Sequence, residues 1–176
     1  MLTHGASRCV TRLLEKANER AKGKFQVIYV RDLSQPQESD RCVKQLRDMG
    51  IPVAVIREAA VAHVMKLRRR VDMVFVGAEV VTQNGGIISR LGTLQVAQLA
   101  KNNQIPFYVC AETHKFYRHF PISQNDVAQN ILDFTPTGDN DDQREEDLID
   151  YTVSLLPGSL FLASTSSVPT PLIYLN

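Results

Sequence analysis

The chain has 176 residues, 44% of them apolar and 22% charged, with a formal net charge of +1. That length suits one domain with its own core, and the near-neutral balance points to neither nucleic acid nor an anionic membrane surface as a partner. No apolar run reaches the roughly 20 residues of a spanning helix, no signal-peptide pattern opens the chain, and Cys9, Cys42 and Cys110 are spaced as neither a disulfide framework nor a zinc site, so a reducing cytosol is the expected location.

The first residues lead straight into an amphipathic helix. Val10, Leu13, Leu14, Ala17 and Ala21 recur at helical spacing, with Arg12, Glu15, Lys16 and Glu19 between them and Gly23 at the end. Residues 25–30 are short, apolar and β-rich, the pattern of a buried strand. Ser34, Pro36 and Gln37 then supply a capping hydroxyl, a first-turn proline and a capping-box amide. The helix they open turns Val43, Leu46 and Met49 inward and stops at Gly50. Strands follow at 52–56, 73–76 and 106–110, with helices at 59–67 and 93–101.

Strand and helix thus alternate about four times, and strands that are apolar throughout belong to parallel sheets covered on both faces. The expected fold is a doubly wound, Rossmann-like parallel α/β domain. Ligands of such sheets bind beyond the carboxyl ends of the strands. Those ends carry Arg31-Asp32, Arg57-Glu58, Gly77-Ala78-Glu79 and Ala111-Glu112, which makes that edge the expected site. The domain reading is a single unit over 1–176: a core to residue 133, an acidic solvated loop over 134–150, and a Ser/Thr/Pro-rich tail over 151–176 without assigned elements.

Walker, zincin and nucleophile-elbow signatures are absent. Gly85-Gly86 by itself marks a turn. Its setting is richer: Val76-Gly77-Ala78-Glu79 ends a buried strand, Asn84-Gly85-Gly86 follows, and Arg90-Leu91-Gly92-Thr93 opens a helix. Freed backbone N–H groups, a guanidinium and a helix N-terminus suit an anion such as a phosphate, while Glu79 suits sugar hydroxyls. His4 is open between a ligand contact and a hydrogen-bonding scaffold, and Arg8 between holding phosphate and pairing with a local acid such as Glu79. Cys9 reads as a packing residue, His114 and His119 as surface or packing residues, and Lys66 to Arg70 as a solvated helix end.

The segment from Val76 to Thr93 resembles the signature shared by the initiation factor 2B alpha, beta and delta subunits, the methylthioribose-1-phosphate isomerases and the archaeal ribose-1,5-bisphosphate isomerases. Leu2-Thr3-His4-Gly5-Ala6-Ser7-Arg8 is similar to the segment opening the C-terminal domain of the alpha subunits. Pro106-Phe107-Tyr108-Val109, Glu112-Thr113-His114-Lys115-Phe116 with Phe120-Pro121, and Ile149-Asp150-Tyr151-Thr152 extend the likeness to about residue 152 and favour alpha over beta or delta. The helical domain that precedes the Leu-Thr-His motif in that family is not in this sequence, and residues 163–171 only distantly echo its closing segments.

The resemblance implies a regulatory, non-catalytic domain of the guanine-nucleotide exchange complex for initiation factor 2. Its implied partners are the beta, gamma, delta and epsilon subunits, a second alpha copy, and initiation factor 2 phosphorylated on its own alpha subunit. In the isomerases a cysteine follows Leu-Thr-His and an aspartate closes Val-Gly-Ala. Here Gly5 and Glu79 stand at those places, so no catalytic residue, metal or cofactor is expected. The implied pocket, for a sugar phosphate or nucleotide, comprises His4, Ser7, Arg8, Glu79, Asn84, Gly85, Gly86, Arg90 and Thr93. The alternatives are a ribose-phosphate aldose–ketose isomerase and a free-standing sensor of such ligands.

Overall fold

A computed structural model describes residues 1–21, 24–67, 71–118, 120–122, 126, 149–152 and 160–164. In chain order the elements are β1 (Leu2–His4), α1 (Arg8–Ala21), β2 (Val27–Arg31), α2 (Pro36–Asp48), β3 (Val53–Arg57), a 3-10 turn (Glu58–Ala60), α3 (Val61–Lys66), β4 (Val74–Gly77), β5 (Val80–Thr82), β6 (Ile87–Arg90), α4 (Thr93–Asn102), β7 (Phe107–Glu112), β8 (Phe116–Tyr117), β9 (Ile149–Thr152) and β10 (Leu160–Ser164). Six strands form one sheet in the order β10-β7-β4-β1-β2-β3, every neighbouring pair parallel. The doubly wound reading holds. Between β4 and α4 the chain inserts the β5–β6 hairpin, around which a smaller sheet closes in the order β8-β5-β6-β9.

Apolar side chains divide by strand parity, as a two-faced sheet requires. Val27 and Tyr29 of β2 face one cluster with Val10 and Leu14 of α1 and Val43 and Leu46 of α2. Val30 faces the other, with Leu2, Val74 and Val76 from the neighbouring strands, Val61 and Met65 from α3, and Val96 and Ala100 from α4. The inserted hairpin joins this second cluster through Val81 and Ile87. Helices therefore cover both faces, and the two cores together supply the apolar burial that drives folding.

Several local expectations change. The opening residues are a strand, not a lead into α1: Leu2–His4 pairs with β2 on one side and β4 on the other, in the middle of the sheet. Its three residues are too short for a periodic signal. Ser34 does not cap α2. Gln35 precedes the helix without a side-chain cap and Pro36 opens it, while Ser34 donates from its backbone N–H and hydroxyl to Asp32 Oδ1 at 2.9 and 2.6 Å. The closer carboxylate wins the hydroxyl and folds the chain into an Asx turn before the helix begins. Val55 of β3 is 42% exposed because β3 is the outer strand of the sheet, so its apolar run does not mark full burial. Ile149 and Asp150, placed in the acidic loop by sequence, lie in β9, and Leu160–Ser164 from the unassigned tail extends the main sheet beside β7. Gly23, Arg68 to Arg70, His119 and residues 127–148 lie outside the described residues.

The buried face of β7 carries Cys110, whose thiol is pushed up from 9.0 to about 12 by burial and by the neighbouring Cys9. Burial also raises the thiol of Cys42 and the phenol of Tyr29. A folded group that holds its proton longer than the unfolded one contributes stability at low pH that is lost as pH rises. Unfolding free energy measured in urea should therefore fall between about pH 9 and pH 12 as the unfolded thiol ionises first. Cys110→Ala should make that fall shallower, and an unchanged slope would show that Cys110 does not carry it.

Candidate functional site

At the switch point of a doubly wound sheet the chain leaves neighbouring strands in opposite directions and a crevice opens beyond their carboxyl ends. Here the two strands are β1 and β4, and a cavity of about 270 Å³ lies there. Gly5 follows β1 with φ +70°, in the left-handed region, and turns the chain off the sheet into α1. Ser7 caps that helix: its Oγ accepts from the Val10 N–H at 3.5 Å, and its carbonyl accepts the Thr11 hydroxyl at 3.0 Å. The start of α1 lies so close to the end of β4 that a Cβ at Gly77 would sit 2.6 Å from both Cβ and Oγ of Ser7.

The cavity floor is a chain of buried polar groups. The Gly77 carbonyl accepts from Ser89 Oγ at 3.3 Å, and Ser89 Oγ accepts from Thr93 Oγ1 at 3.2 Å. Thr93 has then used its proton, so its oxygen is left to accept from His4 Nδ1 at 3.3 Å. On the other edge of the imidazole, Nε2 lies 3.3 Å from Glu58 Oε1, at the exit of β3. His4 is 3% exposed. Both ring nitrogens are occupied within the protein, which favours the scaffold alternative for this residue.

Arg90, at the end of β6, is a quarter exposed and surrounded by acids from three elements. Its Nη1 is 3.5 Å from Asp32 at the exit of β2, its Nη2 is 3.3 Å from Glu38 on α2, and its Nε is 3.7 Å from Glu79 after β4. Three carboxylates against one guanidinium leave this corner without a free positive charge. The expected role of Arg90 as an open phosphate ligand is replaced by that of a tie holding the strand exits together. The other cationic groups facing the cavity are Arg8, 84% exposed with Nη2 3.7 Å from Glu112, and Lys115, whose Nζ donates to the Ala78 carbonyl at 2.7 Å. Arg8 pairs with Glu112, not with Glu79. His114 Nε2 also reaches Glu112, at 3.3 Å.

Of the nine residues singled out by sequence, His4, Ser7, Arg8, Glu79, Arg90 and Thr93 line the cavity. Asn84, Gly85 and Gly86 do not. They form the β5–β6 turn, in which the Gly85 N–H donates to the Thr82 carbonyl at 3.1 Å, the Thr82 N–H donates to the Gly86 carbonyl at 2.9 Å, and Asn84 Nδ2 donates to the Pro121 carbonyl at 2.7 Å. The turn needs these N–H groups and the φ of +81° at Gly85, so the local-turn reading accounts for the glycine pair. Sequence reasoning did not single out Glu38, Ser89 or Lys115. Asp32, Glu58 and Glu112 were visible only as strand exits; Glu112 lines the cavity, while Asp32 and Glu58 contact the lining residues Arg90 and His4.

With the geometry in place, comparison with known proteins is informative. The profile of the Initiation factor 2 subunit family matches residues 1–159. The chain is 36% identical over 154 residues to translation initiation factor eIF2B subunit alpha of Caenorhabditis elegans, covering 86% of this chain and 48% of that protein. It is 38% identical over 117 residues to the ribose 1,5-bisphosphate isomerase of Archaeoglobus fulgidus, covering 66% of this chain and 36% of that one. Its fold superposes on a chain of the tetrameric eIF2B-beta2-delta2 complex from C. thermophilum with a TM-score of 0.61 at 29% identity, over 69% of this chain and 38% of that chain. The chain thus spans about half, or less, of the length of the proteins it matches. Among the described residues no helix is long and apolar enough to cross a membrane.

The contact between α1 and β4 is directly testable. Gly77→Ala should destabilise the chain by about 1–3 kcal/mol in urea denaturation, the usual cost of forcing a methyl into filled space. Ser7→Gly in the same background should recover part of that loss, because the clash is with the Ser7 side chain. Simple additivity of the two substitutions would show that they do not meet.

Proposed function

Because the chain belongs to the Initiation factor 2 subunit family, we propose that it is a non-catalytic regulatory domain of the translation initiation factor 2B guanine-nucleotide exchange complex, acting in the cytosol. The observation that carries the non-catalytic reading is position 5. In the related isomerases the residue after Leu-Thr-His moves a proton; here glycine has no group to move one, on a backbone already in the left-handed region. Glu79, at the place of the isomerases' aspartate, has its carboxylate 3.7 Å from the Arg90 guanidinium and half exposed, unlike a base held against a reacting carbon.

The partners on this reading are the beta, gamma, delta and epsilon subunits, a second copy of the alpha subunit, and initiation factor 2 phosphorylated on its alpha subunit. Support comes from the eIF2B subunit alpha relative and from the fold shared with a subunit of the beta2-delta2 assembly. Mixed with purified beta and delta subunits, the chain should co-elute with them on gel filtration and show no turnover of ribose 1,5-bisphosphate. Turnover that disappears in Glu79→Gln, with no co-elution, would replace this reading by the isomerase alternative.

The cavity also favours a retained ligand, a sugar phosphate or nucleotide. Its polar lining at the switch point joins an acid for hydroxyls, Glu79, to cations for an anion, Arg8 and Lys115. Arg8→Ala should weaken ribose 5-phosphate binding by about 1.5–3 kcal/mol, the range for a hydrogen bond to a charged group. Calorimetry that finds equal affinity in the variant, or no binding at millimolar sugar phosphate, would rule this use of the cavity out.

A further inference from the structure

A second hollow, of about 450 Å³, lies between α1 and α2 and meets the first cavity at Ala6, Ser7, Arg8 and Glu38. Its floor is the buried pair Thr11 and Cys42, with Oγ1 and Sγ 3.6 Å apart. Arg8 and Arg12, one helical turn apart on α1, line one side, and Arg41 with Gln45 lines the other from α2. Glu38 is the one acid among these lining residues, and its Oε2 is already 3.3 Å from Arg90. Arg12 and Arg41 have no ion-pair or hydrogen-bond partner among the described residues. Like charges four residues apart on a helix disfavour it; Glu112, 3.7 Å away, offsets Arg8 in part, but nothing within this hollow offsets Arg12 and Arg41.

Charge is therefore distributed unequally between two connected spaces. The inner cavity carries an arginine matched against three carboxylates. The outer hollow carries three arginines: Arg8 is paired with Glu112, while Arg12 and Arg41 face only Glu38, which is engaged by Arg90. Guanidinium forks match the oxygens of phosphate esters and anhydrides and keep their charge at any relevant pH. We infer that the hollow between α1 and α2 is a separate anion-binding subsite, complementary to a small phosphate-bearing polyanion of the pyrophosphate type. Arg8 stands at the shared rim, and Arg12 and Arg41 grip the anion from opposite helices. Gln45, which carries no charge, adds an amide donor without opposing the anion.

This subsite goes beyond the reading of the inner cavity and does not depend on it, since Arg12 and Arg41 do not line that cavity. Inorganic pyrophosphate is the probe, titrated calorimetrically into the full chain in low-salt buffer. The parent should bind it, with affinity that falls as salt is added. Arg12→Gln combined with Arg41→Gln should weaken binding at least about tenfold, the equivalent of one lost charge-assisted hydrogen bond. Both residues are exposed, so the fold should survive, as circular dichroism would record. Arg20→Gln with Lys44→Gln removes the same charge away from the hollow and should leave the affinity within about twofold of the parent. An equal loss in that control would reduce the effect to general charge attraction and overturn the subsite. So would undiminished binding in the Arg12/Arg41 variant, or no binding by the parent at millimolar pyrophosphate.

Discussion

The site exists because one helix begins where a side chain would otherwise be. The first turn of α1 comes down on the end of β4, and the space a Cβ at position 77 would take is filled by Ser7. That approach brings the loop after β1, the end of β4 and the capping hydroxyl of α1 into one rim. It also places the Gly77 carbonyl where it anchors Ser89 and, through it, Thr93 and His4. Four elements are positioned by a single absent methyl. The strands of this sheet are only three to six residues long, so a contact made at their ends bears directly on the geometry of the exits.

Polar burial around this rim is organised by hydrogen bonds more than by ion pairs. The Asp32 side chain is 5% exposed, and its partners divide clearly by distance: the Ser34 hydroxyl and N–H at 2.6 and 2.9 Å, then Arg90 at 3.5 Å. The short bonds satisfy the carboxylate and build the turn into α2, while the longer contact adds a weaker tie to β6. Glu38 and Glu79 are half exposed, so their attraction to Arg90 is screened and worth little individually. What the three carboxylates do together is neutralise the corner. Positive charge that a phosphate would meet is displaced outward, to Arg8 and the face of α1 and α2.

Much of this was legible in sequence, and the failures have physical causes. Apolar runs identified β2, β3, β4 and β7, and the helical period of Val10, Leu14 and their neighbours identified α1, because burial on two faces leaves a pattern in the residues themselves. Leu2–His4 leaves none: three residues, two of them polar, gain their central place from pairing with strands more than twenty and seventy residues away. The rule that ligands sit beyond parallel strand ends located Asp32, Glu58 and Glu112 without any motif. By contrast, motif reading misassigned Asn84, Gly85 and Gly86, since a hairpin turn and an anion cradle ask for the same residues. It also counted Arg90 as an available cation, and Ser34 as a cap, because sequence shows a donor but not which acceptor lies closest. Arg12 read only as a polar position between the apolar residues of α1, and Arg41 carried no reading at all. Only the packing of α1 on α2 brings them across one hollow.

The left-handed turn at Gly5 also limits which residues its position can accept. The left-handed backbone there costs an L-residue with a side chain roughly 1–2 kcal/mol, against a total stability of about 5–15 kcal/mol for a typical domain. A Cβ at that position would meet nothing nearer than Arg90 Cδ at 3.9 Å, so space is available and conformation alone resists the change. Any side chain placed there, however small, would therefore weaken folding through the backbone alone, without pressing on a neighbour.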